Sequence, residues 1–215
     1  WHNEGTSTSP VFIEKSGAEN PFSGTLPYVS GHRTSPAFAD INSDGHADLI
    51  FGSSYNSQLY YFEFTGNSSG TPAFTRREGT ANPFLNLSIV GGEFRPMFAD
   101  IDSDGVVDLL IGNNLGNIQY FQGETTAGGN ITFVKKTGND NPFDELDVGD
   151  MSAPALLNQH ALVVGNVAGK IAILERDFCY PAVMCKNRGV CGGSILSSQC
   201  NCQQSESAGA QCESC

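Results

Sequence analysis

The sequence predicts an all-β chain of repeated four-stranded units followed by a small disulfide-rich module. Three observations carry that prediction. Runs of four to seven residues rich in Val, Ile, Phe and Tyr alternate with Gly, Pro, Asn and Ser, and no long helical periodicity occurs. The order of these runs recurs about every sixty residues. All seven cysteines lie between Cys179 and Cys215, behind 178 residues that contain none.

The repeat is defined by independent markers in one order. "NPF" begins at Asn20, Asn82 and Asn141, spacings of 62 and 59 residues. An apolar run closed by glycine ends at Gly52 (DLIFG), Gly112 (DLLIG) and Gly165 (ALVVG). Each is followed by a polar turn and a second run, QLYYFEF, NIQYFQG and KIAILER. Then come TPAFTRREG and NITFVKKTG, with SPVFIEKSG as their counterpart near the start. Units of this length with about four short strands match the blades of a β-propeller; solenoid coils are shorter, and sandwiches predict no regular long period. The units fall near 1–62, 63–121 and 122–176. Leu49, Ile50, Leu109, Leu110, Val163 and Val164 are expected innermost. The first residues align with the stretch from Tyr61, so residue 1 is read as lying inside a unit. Propellers use about four to eight blades, so the expected ring is incomplete, and further blades upstream or another chain would complete it. An edge left open would be a pairing hazard.

Between the first two runs of a unit lies an acidic loop, DINSDGHAD from Asp40 and DIDSDGVVD from Asp100, sixty residues apart. Positions 1, 3, 5 and 9 are Asp40, Asn42, Asp44 and Asp48 in one loop, and Asp100, Asp102, Asp104 and Asp108 in the other. Alternating oxygen-bearing side chains on a tight turn converge on one hard cation, and Gly45 or Gly105 permits the bend. The backbone carbonyls of His46 and Val106 would fill position 7. An all-oxygen set favours Ca²⁺ over zinc or copper, and Mg²⁺ over-retains its waters for such a cage. The expectation is two Ca²⁺ sites. An EF-hand is excluded, because position 12 is Phe51 or Ile111 rather than Glu. Without a cation, so many carboxylates in one turn would repel one another. The third unit shortens the loop to Asn158, Gln159 and His160 and keeps no acidic ligand, so the ions read as structural rather than catalytic.

The net charge of −12, from 11 basic and 23 acidic residues, argues against a nucleic-acid surface. No run of 18 apolar residues spans a membrane in this segment. Sequons at Asn67, Asn86 and Asn130 and the cysteine-dense tail agree on an oxidising, extracellular setting. No GxSxG, P-loop, dinucleotide fingerprint or HExxH occurs, so the segment reads as non-catalytic.

The pattern PAFADINSDGHADLIFG resembles the FG-GAP (VCBS-type) repeat of integrin α-subunit propellers and of many microbial and algal surface proteins. The resemblance covers residues 1 to about 176. It implies Ca²⁺ in the two matching loops only, and the third unit departs from it.

From Cys179 the spacing is C-x5-C-x5-C-x8-C-x-C-x9-C, followed by Cys215. Six cysteines allow fifteen pairings. CKNRGVC, CNC and GAQC resemble an EGF-like domain over 177–215, which implies Cys179–Cys191, Cys185–Cys200 and Cys202–Cys212. Cys215 is left over, and the module is expected to continue beyond it. The functional reading is a secreted or cell-surface, calcium-binding structural or adhesion module. It would engage extracellular proteins or copies of itself, with assembly into a matrix or filament as its sharper form. Two alternatives remain: a lectin-type propeller that stacks sugars on the aromatics of YNSQLYYFEF, or a non-catalytic region of a larger extracellular enzyme.

Overall fold

The computed structural model describes residues 1–22, 33–54, 58–68, 71–158, 161–175, 191–192 and 201–202. Every sheet among them is antiparallel, and no α-helix occurs among the described residues. The first strands, β1 (His2–Asn3) and β2 (Phe12–Ile13), form a short hairpin. A four-stranded sheet follows, in the order β3 (Thr34–Ala39), β4 (Asp48–Ser53), β5 (Gln58–Ser68), β6 (Thr71–Arg77). The next repeats that order with β7 (Arg95–Ala99), β8 (Asp108–Gly112), β9 (Ile118–Thr125) and β10 (Ile131–Lys136). The third contains β11 (Ala153–Asn158), β12 (Ala161–Gly165) and β13 (Ile171–Glu175). Each sheet is a meander, as expected of β-branched and aromatic runs joined by short glycine-containing turns.

The sheets pack face to face in chain order. Ile50, Leu59 and Tyr61 of the first sheet share a buried core with Leu109, Ile111 and Phe121 of the second. Leu110, Ile118 and Tyr120, on the opposite face of the second sheet, share another with Leu162 and Val164 of the third. The period-2 alternation of β8 therefore feeds two cores, which is why DLLIG is apolar throughout. The expected core residues Leu49, Ile50, Leu109, Leu110 and Val164 are buried, and Val163 is half-buried. They do not form the innermost strands, however. That place belongs to β3, β7 and β11, which line a cavity of about 350 Å³ through Ser35–Phe38, Arg95–Phe98 and Ala153–Leu156. Strand order within a sheet is not encoded in the repeat period, and a strand buried on both faces is more apolar than one lining a channel.

"NPF" is a packing turn in all three copies. A 3-10 turn precedes each (Gly17–Glu19, Gly79–Ala81 and Gly138–Asp140). The Asn side chain then accepts the Phe backbone N–H at 3.0 Å, from Phe22, Phe84 and Phe143. This aims the ring into a core: Phe84 stacks on Phe133 at 5.3 Å and meets Tyr61 edge-on at 6.0 Å, joining two sheets.

In the tail, β14 (Cys191–Gly192) pairs with β15 (Asn201–Cys202), placing Cys191 opposite Cys202. The expected disulfides also involve Cys179, Cys185, Cys200 and Cys212, which lie outside the described residues, as do Gln159, His160 and Cys215.

Candidate metal centre

The two acidic loops connect the first and second strands of their sheets and fold alike. In each, the residue after position 3 takes a left-handed backbone (Ser43 φ 58°, Ser103 φ 62°), and so does the following glycine (Gly45 φ 87°, Gly105 φ 88°). That pair of turns curls the chain around the first carboxylate. Asp100 Oδ1 and Oδ2 accept the N–H groups of Asp104 and Gly105 at 3.2 and 3.1 Å. Asp40 accepts those of Asp44 and Gly45 at 3.1 and 2.9 Å. The position-3 side chain accepts the same N–H, at 3.1 Å from Asn42 and 3.1 Å from Asp102. Position 5 in turn accepts the N–H of His46 or Val106 at 2.8 Å. Side chains at positions 1, 3 and 5 thus each hold a backbone N–H of the turn.

Position 9 lies at the start of the second strand and is fully buried in both copies. Asp108 Oδ2 accepts the Ile101 N–H at 2.7 Å and the Tyr120 hydroxyl at 3.2 Å, and its Oδ1 accepts the Gly123 N–H at 2.8 Å. Asp48 repeats the set with Ile41 at 3.1 Å, Tyr61 at 2.9 Å and Phe64 at 2.8 Å. This carboxylate thus clamps the loop to the third strand, and lone pairs remain on Oδ1. Burial pushes Asp108 up to about 6 and raises Asp48 above the usual carboxylate range, against the pull of their donors. Burial also raises Asp104, helped by the charges of Asp102 and Asp100. Tyr61 is held well above an ordinary phenol, first by burial and then by its bond to Asp48, so it stays a donor.

The donor set fits a hard cation. Ligand oxygens of Asp100, Asp102 and Asp108 all lie within 4.8 Å of one another, and two of these three residues are buried. Among the described residues no Lys, Arg or His ion-pairs with any of them. Three converging carboxylates without a counter-charge are costly in a half-buried loop, and a divalent cation removes that cost. In the first loop Asn42 stands where Asp102 stands in the second, leaving fewer charges around the same turn. The His46 ring lies against Phe64, centroids 4.8 Å apart, leaving its carbonyl as the group the loop can offer.

Sequence reasoning missed Tyr61, Tyr120 and Gln122. The tyrosines recur at matching registers, opposite Ile50 and Leu110, and that recurrence was the available signal. Gln122 donates its side-chain amide to Asp102, and its contact depends on the pairing of β8 with β9.

Each loop also reaches the next sheet. Ile41 is buried in the core shared by the first two sheets and Ile101 in that shared by the second and third. Ile41 O accepts the Ile131 N–H at 2.9 Å, and the Ser43 hydroxyl donates to Gly129 O at 2.8 Å. The third unit carries no acidic loop in its sequence: Leu156 pairs with Leu162 and Asn158 with Ala161, with a register shift between Leu156 and Asn158.

Fold and loops together define an all-β repeat chain whose acidic loops sit at the junctions between sheets. A family model described as an FG-GAP-like repeat matches residues 40–111, from the first acidic residue of one loop through the second loop and into β8. FG-GAP repeats typically occur in extracellular or surface proteins and serve protein–protein interaction. No curated protein and no solved structure matches the chain.

Proposed function

We propose that this chain is a non-catalytic, calcium-binding structural and adhesion module of an extracellular protein, with its sheets forming an arc of a β-propeller and an EGF-like module behind them. The observation that carries the reading is the convergence of Asp100, Asp102 and Asp108 within 4.8 Å at a junction between sheets. Asp100, Asp102, Asp104 and Asp108, with the Val106 carbonyl, would hold one ion; Asp40, Asn42, Asp44 and Asp48, with the His46 carbonyl, would hold the other. A bound Ca²⁺ supplies positive charge that cancels carboxylate repulsion and nothing else. The chain's own groups set the loop turn, clamp position 9 and seat Ile41 and Ile101 beneath the next sheet. The exposed positions of Asn86 and Asn130 suit glycosylation in a secreted protein. Tyr60, Tyr61 and Phe62 of the alternative sugar-stacking surface are buried in the core, so that reading draws no support from them.

Titration calorimetry should show Ca²⁺ uptake at two sites, and chelation should lower the melting temperature. Asp102→Asn should weaken one site and leave the other. No heat of binding and an unchanged melt after chelation would refute the calcium reading.

A further inference from the structure

We infer that the two acidic loops take up calcium in sequence, the second before the first, and that Gln122 is the positioning residue that sets the second apart. The inference deepens the calcium part of the proposed function and rests on that reading. The loops share their turn, their position-9 clamp and their place between the first and second strands, so what distinguishes them lies at a few residues. Position 3 is Asp102 in the second loop and Asn42 in the first, which sets four carboxylates against three around the same turn. Asp102 is 4% exposed, whereas Asn42 is half-buried. Among the described residues, only the second loop brings ligand oxygens of three carboxylates within 4.8 Å of one another. Calcium affinity in an oxygen cage is tuned by ligand charge and by rigidity, and charge counts for more where water is excluded.

The calcium-free loops differ in the same direction. In the first, Asn42 acts twice: its carbonyl accepts the Asp44 N–H at 3.1 Å, and its amide donates to Asp44 Oδ2 at 3.0 Å. Asp44 Oδ1 accepts the His46 N–H at 2.8 Å, so both oxygens of the position-5 carboxylate hold a donor from the loop itself. A cation entering there competes with the Asn42 amide. An ionised Asp102 has no proton to offer Asp104, so positions 3 and 5 repel in the second loop where they attract in the first. Without a cation the second loop is therefore the less stable of the two, and the gain on binding is larger there.

Gln122 adds rigidity to the same loop. It follows Phe121 on the third strand as Glu63 follows Phe62, and the two phenylalanines stand opposite Leu109 and Leu49. At this place the second sheet gives Asp102 an amide donor on Oδ2, while Asp102 Oδ1 accepts the Asp104 N–H at 3.1 Å. Both oxygens are gripped, and each keeps a lone pair for the ion. The first sheet has a carboxylate there instead, and Arg77 of the fourth strand holds it, Nε to Oε2 at 2.7 Å and Nη2 to Oε1 at 3.0 Å. A donor on a ligand carboxylate fixes its rotation before the cation arrives, and loss of such a partner lowers metal affinity about 10–100-fold. Ile101 seats the junction after the second sheet and Ile41 the junction after the first. Between the two calcium midpoints, the later junction is set while the earlier one still responds.

The test is a titration of calcium chloride into the calcium-free 215-residue chain, followed by nuclear magnetic resonance. The Gly45 and Gly105 amides, bonded to Asp40 and Asp100, report the two loops separately. The Gly105 resonance should move first, with midpoints at least about tenfold apart. Asn42→Asp should draw the Gly45 midpoint toward that of Gly105. Gln122→Met keeps the length of the side chain and removes its donor; it should raise the Gly105 midpoint about tenfold or more and leave that of Gly45 unchanged. A merely structural role for Gln122 would not split the loops in this way. Coincident midpoints, or Gly45 moving first, overturn the order of filling. An unchanged Gly105 midpoint in Gln122→Met, or an equal shift of both amides, overturns the role of Gln122. Movement of neither amide refutes the calcium reading itself and the order with it, whereas equal midpoints refute the order alone.

Discussion

Gly112→Ala should destabilise the fold through one identifiable contact. The added Cβ would sit 2.3 Å from the Ser152 carbonyl oxygen, 2.6 Å from Pro154 Cδ and 2.8 Å from the Ser152 carbonyl carbon. Ordinary Cβ contacts begin near 3.4 Å, so the second and third sheets must separate locally by about an ångström. The opposing atoms are backbone and a proline ring, so no rotamer change relieves the clash. Gly112 does not have a positive φ, so the substitution adds no left-handed strain. Overpacking of this kind costs about 1–3 kcal/mol. Gly165→Ala is the internal control: same residue type, same strand position, no neighbour within 4 Å among the described residues. It should be neutral or stabilising by up to about 1 kcal/mol, since alanine restricts the unfolded chain more than glycine does. Urea denaturation of dilute protein measures both, with the m-value checked for constancy. Equal midpoints for the two variants would refute the argument that these glycines mark close approach between successive sheets.

The clamp and the packing turns give further expectations. With chelator present, the raised folded value of Asp108, about 6 against about 3.9 unfolded, means the native state binds more protons between those values. Stability should therefore be highest below about pH 4 as far as this group is concerned, and fall by roughly 2–3 kcal/mol as pH rises through 6. Saturating Ca²⁺ should flatten that slope, and Asp108→Asn should abolish it; pH-resolved denaturation reads all three. Tyr120→Phe removes one donor to Asp108 and should cost about 1 kcal/mol in calcium-free buffer. Phe84→Ala empties a buried site between Tyr61 and Phe133 and should cost about 3–5 kcal/mol, read as a lower urea midpoint.

The recurring residues made the loops and the packing turns legible in the sequence. Asp40 and Asp100 announced a turn because oxygen-bearing side chains alternate before a glycine, and the structure builds that turn from matching hydrogen bonds. "NPF" was legible as a repeat marker, and the structure shows its Asn side chain accepting the following Phe N–H, which makes it a packing turn. The order of strands from the cavity outward was not legible. Burial on two faces makes β4 and β8 the most apolar strands, whereas β3 and β7 line a cavity and carry Ser35, Pro36, Arg95 and Pro96. Hydrophobicity ranks burial, and burial on two faces is greatest in the second strand. Position 9 of the acidic loop was read as a candidate ligand but not as a clamp. Its partners Tyr120 and Gly123 lie 12 and 15 residues away and meet it only when β8 pairs with β9.

The clamp bears on why the acidic loops accompany some junctions and not others. Position 9 ties the loop to its own third strand, while position 2 of the same loop, Ile41 or Ile101, is buried in the core shared with the next sheet. The loop therefore links a blade's interior to its neighbour. On the proposed calcium reading, removing the cation would set carboxylate repulsion against the turn that holds this isoleucine in place. Loss of calcium should thus loosen the junctions after the first and second sheets before it loosens the sheets themselves, whose ladders do not involve the loop. Hydrogen exchange separates the two: chelation should speed exchange at the Ile131 amide, bonded across the junction to Ile41, well before the β8–β9 amides. Equal acceleration at both would mean that the loop and the sheets unfold as one unit, and that the ion stabilises blades rather than their junctions.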